Sequence, residues 1–397
     1  MRVLRTCLVI ALTGLLACSS GSLDRGARAD EGLPGYLDDV APARPPAPDR
    51  RDAAWDPTTT RAFIVSLAGF EGEAPGHTSF TTGDRNDGAF ADLLRARGVP
   101  AANVVLLLDG DATSDAVRAR FDAFLAASAP GETLLFYYGS HGGYDADTGV
   151  HTYSTFDGSI PVGWFVDRID DAFRGDRALL FSDACYSGGL VEHAAGPHRV
   201  SYAALSSTGP HNLAHSGWRF LDVILRALGG RTEIDLDQDG TIVWRELATF
   251  AAHHMAFIAD GKPNAIATGA LSGDLVLARG VPAKADPRVG LHRDVVTADG
   301  SYPAEVLAAR GDEVFVHPTA GVTHERDAWV PASQLRARAV PGYAAGDAVE
   351  VWYHGTGKWY PATVLGTFDH LTLAHYDGYA DAWDEWFAPE VIRRRAP

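Results

Sequence analysis

Cysteine is nearly missing from this chain. Three occur in 397 residues, and two of them, Cys7 and Cys18, lie in an N-terminal stretch with the marks of an export segment. Cys185 therefore has no partner for an intramolecular bridge, which excludes a disulfide-stapled fold. Positive charge is also short: 34 Lys and Arg stand against 51 Asp and Glu, a formal net charge of -17. That imbalance repels a phosphate backbone and argues against nucleic acid as a partner, favouring cations or basic peptides. Long apolar runs are lacking too. Leu8 to Ala17 is too short to span a bilayer, and no other stretch approaches that length. What remains, 46% hydrophobic and 21% charged residues, is ordinary for globular protein. The length allows two or three domains, each with its own core.

Arg2 and Arg5 before the apolar run, and small residues after it, read as a signal peptide. Leu15-Leu16-Ala17-Cys18 resembles the lipobox of bacterial lipoproteins. The resemblance implies that residues 1–18 are a lipoprotein signal with Cys18 as the lipidated residue, and that Cys7 is discarded. Loss of Arg2 and Arg5 then makes the mature charge -17 - 2 = -19. Ser19-Ser20 resembles the outer-membrane sorting pattern, so the expected location is the bacterial cell envelope, at the outer membrane. An ordinary cleaved signal with a chance cysteine is the alternative.

Residues 19–58 are poor in large apolar side chains and contain Ala41-Pro42-Ala43-Arg44-Pro45-Pro46-Ala47-Pro48, the composition of a flexible tether. From Arg61 the pattern alternates. Ala62 to Leu67, Val104 to Leu108, Thr133 to Tyr138 and Ala178 to Phe181 are continuous apolar runs of strand length. Between them, Phe90, Leu93 and Leu94, and then Val117, Phe121, Phe124 and Leu125, recur at helical spacing. Tyr202 to Ser206 predicts a further strand, and Trp218 to Leu228 and Arg245 to Ile258 predict helices. This order predicts an α/β fold, a mainly parallel sheet flanked by helices, over residues 59–282. Active groups in such sheets gather beyond the carboxyl ends of the strands, and both His141 and Cys185 directly follow one.

A thiol becomes a strong nucleophile only as thiolate, and an imidazole can take its proton and later protonate a leaving amine. His141 lies in Tyr138-Gly139-Ser140-His141-Gly142-Gly143 and Cys185 in Ser182-Asp183-Ala184-Cys185-Tyr186-Ser187-Gly188-Gly189. The glycines predict close approach of a substrate carbonyl, with the Gly142 and Cys185 amides as oxyanion donors. A buried structural cysteine is the bland alternative, which the flanking glycines and acidic neighbour weigh against.

The two motifs resemble the signatures of the caspase-like cysteine peptidases, the group holding caspases, metacaspases and legumains. The resemblance covers roughly residues 60 to 280. It implies His141 as general base and acid, Cys185 as nucleophile, no cofactor for catalysis, and a peptide or protein substrate. In metacaspase-like members an Asp two residues before the nucleophile helps to form an acidic pocket for Arg or Lys, and Asp183 holds that position. A second pocket acid usually lies in a Gly-x-x-Asn-Asp segment, matched by Gly83-Asp84-Arg85-Asn86-Asp87, which points to Asp87. A helix N-terminal carboxylate is the competing reading of Asp87. Cleavage after Arg or Lys is expected, with Arg85 an awkward neighbour; Asp or Asn specificity is the alternative. Arg199 is a candidate self-cleavage point.

Residues 235–246 match an EF-hand calcium loop: Asp235, Asp237, Asp239 and Glu246 supply carboxylates, Thr241 its carbonyl, and Gly240 the turn. Gly229-Gly230 interrupts the incoming helix and no second loop accompanies it, so a structural site is expected rather than a sensor. An acidic turn capping a helix is the alternative.

Ser301-Tyr302-Pro303-Ala304-Glu305-Val306-Leu307 returns as Trp359-Tyr360-Pro361-Ala362-Thr363-Val364-Leu365. The repeat predicts two small all-β barrels at 286–338 and 340–397. The second, crowded with Trp352, Tyr353, Trp359, Tyr360, Tyr376, Tyr379, Trp383 and Trp386, resembles Tudor-like and agenet-like barrels. Those domains hold cationic side chains in aromatic cages; a barrel core is the competing use of the same rings. The sequence thus predicts a lipid-anchored cysteine endopeptidase whose repeats bind a peptide or envelope ligand. Its rival is a non-catalytic anchored scaffold that uses the repeats alone.

Overall fold

The computed structural model describes residues 54–72, 78–80, 85–214, 218–258, 267–269, 271, 273–298, 300–318, 327–338, 342–353, 356–368, 370–379 and 384–395. The chain enters through β1 (Thr60–Ser66), α1 (Asp87–Ala96), β2 (Val104–Leu108), α2 (Ser114–Ala126) and β3 (Thr133–Gly139). A small three-stranded antiparallel sheet follows, made of β4 (Gly142–Asp145), β5 (Val150–Ser154) and β6 (Ser159–Pro161). Then come α3 (Val162–Ala172), β7 (Arg177–Asp183), α4 (Gly188–Ala194), β8 (Ser201–Ser206) and α5 (Arg219–Leu228). The α/β part ends with β9 (Thr241–Val243), α6 (Trp244–Ile258), β10 (Ala267–Gly269) and β11 (Val276–Arg279).

Six strands form the central sheet in the order β10-β8-β7-β3-β1-β2. All pair in parallel except β10, which runs antiparallel to β8. Alternate strand residues feed two cores, as the two-residue period of a strand requires. Ile64, Tyr137, Phe181 and Leu205 point to one face, where α1, α5 and α6 pack with Phe90, Leu94, Ile224 and Leu247. Phe63, Phe136, Leu180 and Tyr202 point to the other, under α2, α3 and α4 with Phe121, Phe165 and Leu190. Phe121 meets Phe63 edge-on at 4.9 Å and Phe165 at 5.3 Å. Truncating such a ring costs about 3–5 kcal/mol.

The tether reading of 19–58 runs too far. Trp55 is buried in the first core, its indole N–H donates to Thr60 Oγ1 at 2.9 Å, and its backbone N–H to Val276 O at 2.7 Å. Residues 19–53, with the signal region and Cys18, lie outside the described residues.

The C-terminal part contains β12 (His292–Thr297), β13 (Gly300–Arg310), β14 (Glu313–Pro318), β15 (Ala328–Pro331) and β16 (Leu335–Arg336). It continues with β17 (Ala348–Tyr353), β18 (Lys358–Phe368), β19 (Leu371–Tyr376), β20 (Glu385–Phe387) and β21 (Ile392–Arg394). The sheet orders β15-β14-β13-β12-β16 and β20-β19-β18-β17-β21 are the same topology twice. Even the register break recurs, at Val306/Ala308 and at Val364/Gly366. Each sheet wraps a small aliphatic core, Val295, Val306 and Val314 in one and Val349, Val351 and Val364 in the other. The sequence repeat is therefore a repeat of whole all-β, barrel-like units.

Candidate active site

Strand register builds the site. Ser66, Gly139 and Asp183, the last residues of β1, β3 and β7, lie side by side. His141 follows Gly139 by two positions and Cys185 follows Asp183 by two, so both leave the same rim. The Ser140 N–H donates to Asp183 O at 3.1 Å and ties the two chain exits together. Beyond them, a Cβ at Gly142 would strike the Cys185 carbonyl oxygen. The glycines here serve internal packing, not only substrate approach: side chains at Gly143, Gly188 and Gly189 would meet Thr152, Pro210 and His151.

His141 is buried, and its Nε2 lies 2.8 Å from Thr78 O. A carbonyl only accepts, so the proton resides on Nε2 and Nδ1 is the basic nitrogen. Phe80 and Phe70 flank the imidazole with ring centroids 4.2 and 5.3 Å away. Behind it, the Tyr138 hydroxyl is shared between His141 O and Ser154 O, each at 2.7 Å. Burial pushes that phenol well above its ordinary value, so it remains a donor. Sequence reasoning missed Thr78, because it acts through a backbone carbonyl that carries no residue signature.

Cys185 is half-buried and forms no disulfide. The next residue, Tyr186, has φ +58°, a left-handed conformation that side chains rarely adopt. Its N–H donates to Asn212 O at 2.7 Å, which holds the sharp turn between β7 and α4. Such local strain concentrates at functional turns.

Both residues expected to be pocket acids are close to this rim. Burial pushes the Asp183 carboxyl up to about 6, against the hydrogen bonds from Ser207 and the Leu221 amide. Asp87 is buried in the first turn of α1, with Oδ1 accepting the Gly88 N–H at 2.7 Å. Burial first, then the charges of Asp183 and Asp87, hold the Tyr137 phenol well above its ordinary value, so both carboxylates act on that ring. Asp87 already has a cation, however: Arg85 Nε is 2.5 Å from its Oδ2. Arg85 also reaches Asp109 Oδ2 at 2.5 Å and Ser66 O at 3.0 Å. The two acids are therefore brought together with a resident guanidinium between β1 and α1. Arg199, the candidate self-cleavage point, is committed elsewhere. Its guanidinium donates to the Asp170, Gly175, Ile169 and Phe173 carbonyls and closes the C-terminal end of α3.

The acidic loop folds as its spacing requires. Asp235 is buried and accepts the N–H groups of Asp239 (3.1 Å) and Gly240 (3.0 Å). Glu246 turns back from α6 and accepts from Leu236 (2.7 Å) and Val243 (3.0 Å). Carboxylate oxygens of Asp235, Asp237 and Asp239 lie within 4.8 Å of one another, and Gly240 takes φ +86°. The donor set, oxygen throughout, fits calcium. In place of a second loop, β9 pairs antiparallel with β11, which steadies the Thr241–Val243 segment.

In the second repeat the aromatics divide. Tyr353, Tyr360, Tyr376 and Tyr379 stand with centroids 6.1–6.3 Å apart and planes steeply crossed. Trp359 is covered by Arg393 at 4.0 Å and meets Trp352 at 5.6 Å, while Trp386 is buried. Trp383 lies outside the described residues.

Comparison with known proteins agrees with this architecture. The family described as the Caspase domain matches residues 59–312, more than half of the chain. The chain belongs to the caspase-domain family, a family of cysteine-type peptidases, and carries a C-terminal pair of all-β units. Among solved structures it is similar to a Geobacter sulfurreducens protein (17% identity, TM-score 0.40, 57% of this chain and 99% of that one). Caspase-1 from Spodoptera frugiperda is similar at 14% identity and TM-score 0.40, over 58% of this chain and 93% of that one. The tandem agenet domain 3-4 of ADCP1 covers 27% of this chain and 79% of its own, at 14% identity and TM-score 0.13. No curated protein matches the chain at the level of sequence. Among the described residues no helix is long and apolar enough to cross a membrane.

Proposed function

We propose that this protein is a cysteine endopeptidase in which His141 and Cys185 act as a dyad. The observation that carries the reading is the tautomer fixed by Thr78 O: His141 donates from Nε2 and keeps Nδ1 to accept the thiol proton. The Cys185 thiolate then adds to the scissile carbonyl, with the Gly142 and Cys185 amides as donors to the oxyanion. The imidazolium returns its proton to the leaving amine, and water, deprotonated by the same nitrogen, releases the acyl group. Asp183 and Asp87 supply the negative charge for a P1 Arg or Lys. Arg85 beside Asp87 favours a second reading, a P1 Asp or Asn paired with that guanidinium.

Calcium, held by Asp235, Asp237, Asp239, the Thr241 carbonyl and Glu246, would brace α6 against β9. The Cys18 lipid would place the enzyme on the bacterial envelope, and the tyrosine cluster of the second repeat would receive a cationic peptide. The test is hydrolysis of fluorogenic Arg, Lys, Asp and Asn peptides, with and without calcium, beside Cys185→Ala. Cysteine-dependent turnover after Arg or Lys is expected. Turnover only after Asp or Asn would select the second reading, and no turnover from folded protein would leave the anchored scaffold.

A further inference from the structure

Three side chains outside the peptidase site converge where the first C-terminal sheet meets the α/β domain. His254 lies in α6, while His292 in β12 sits directly opposite Glu305 in β13. Opposed residues of an antiparallel pair share a face, so the latter two project together toward α6. His254 Nδ1 is 2.9 Å from His292 Nε2 and 3.7 Å from Glu305 Oε2. All three donor atoms lie within 4.8 Å of one another.

Glu305 is fully buried. Its Oε1 is 2.5 Å from Arg226 Nη1, but its Oε2 accepts no hydrogen bond. A charged oxygen left so in the interior costs several kcal/mol unless a cation meets it. Arg226 meets the carboxylate from the Oε1 side and is shared with Asp222 at 2.6 Å and Glu233 at 3.9 Å, so Oε2 itself still lacks a donor. His254 is also buried. His292 is half-buried and leaves a path from solvent.

We propose that His254, His292 and Glu305 bind a divalent transition metal of the zinc type, which clamps the first C-terminal sheet onto α6. Two imidazoles and one carboxylate with a fourth position for water suit zinc, whereas calcium and magnesium take oxygen sets. Tetrahedral bonds of about 2.0 Å place two ligand atoms about 3.3 Å apart. The observed 2.9 and 3.7 Å bracket that separation. A direct hydrogen bond between the imidazoles, the competing arrangement, leaves Glu305 Oε2 unmet.

The test titrates the full chain with Co2+, read by the visible absorption of the four-coordinate ion, and with Zn2+ by chelator competition. Calcium in excess keeps the acidic loop saturated. The protein is expected to bind one equivalent that His292→Gln and Glu305→Gln lose, with affinity falling at least about tenfold. Equal binding by protein and variants overturns the proposal. Because Glu305→Gln also disturbs Arg226, anomalous diffraction from crystals of the unsubstituted protein grown with Zn2+ gives an independent answer. A zinc peak among the three side chains supports the clamp; zinc only elsewhere, or none, refutes it.

Discussion

Gly139 and Asp183 face each other across β3 and β7, and the Ser140 N–H bonds to Asp183 O. Because the strands are parallel and end in the same register, His141 and Cys185 emerge from one rim at equal distance from it. A shift of one residue in either strand would send one of them to the wrong face. Hydrogen bonds of the sheet, rather than contacts within either motif, thus set the spacing of His141 and Cys185.

Gly142→Ala tests that geometry directly, since the new methyl would press on the Cys185 carbonyl. Displacing reacting groups by about 1 Å costs on the order of a hundredfold in rate. Peptide turnover should fall by about that factor while circular dichroism stays native. Unchanged turnover would mean that the two motifs do not act together.

Asp183 ionises near 6. Below that pH it is neutral, and above it carries the charge that would attract a P1 cation in the proposed pocket. KM for Arg and Lys peptides should therefore fall as pH rises through about 6, and KM for peptides with an uncharged P1 should not. Asp183→Asn should abolish the difference. Parallel pH profiles for both peptide classes would remove Asp183 from the pocket.

In the proposed pocket, Arg85 would compete with a basic substrate side chain for Asp87, which it meets at 2.5 Å. Arg85→Gln should raise kcat/KM for Arg peptides by roughly tenfold, the worth of about 1.4 kcal/mol. A loss of Asp-peptide turnover in the same variant, without that gain, would show that Arg85 itself recognises the substrate.

Glu385 tests stability rather than catalysis. Burial pushes its carboxyl from 4.5 up to about 8, despite a hydrogen bond from the Tyr376 hydroxyl at 3.0 Å. The folded state holds the proton more tightly than the unfolded chain, so its stabilising contribution is complete below pH 4.5 and is lost as pH rises through 8. Across that window it falls by at most about 1.4 kcal/mol per pH unit. Denaturant titrations of the protein and Glu385→Gln should therefore diverge in favour of the variant as pH rises from 5 to 8. A constant difference would refute the assignment.

The central strands were legible because parallel strands buried on both faces read as continuous apolar runs, from Ala62 to Phe181. The acidic loop was legible because its ligands are local and fixed in spacing. The hairpin strands β4 to β6 were not: at three to five residues each they show no usable alternation. Neither was α3, whose Val162, Phe165, Val166 and Ile169 fall in the gap those strands leave. The pairing of Arg85 with Asp87 and Asp109 could be suspected only from Arg85 being a neighbour, since Asp109 is 24 positions away. Nothing in the sequence joins His254 to His292 and Glu305, because only the docking of two separate units brings them together.

The duplicated units put one pair of corresponding positions to different uses. Glu305 of the first reaches out of its own sheet to Arg226 of α5, whereas Thr363 of the second stays within its own unit and donates to Asp377 Oδ1 at 2.9 Å. The two copies of one topology thus differ in allegiance. One has become a fixture of the enzyme beside it, while the other keeps its tyrosines in an arrangement its twin does not repeat. Substitutions among the tyrosines of the second copy would leave the joint made by the first intact.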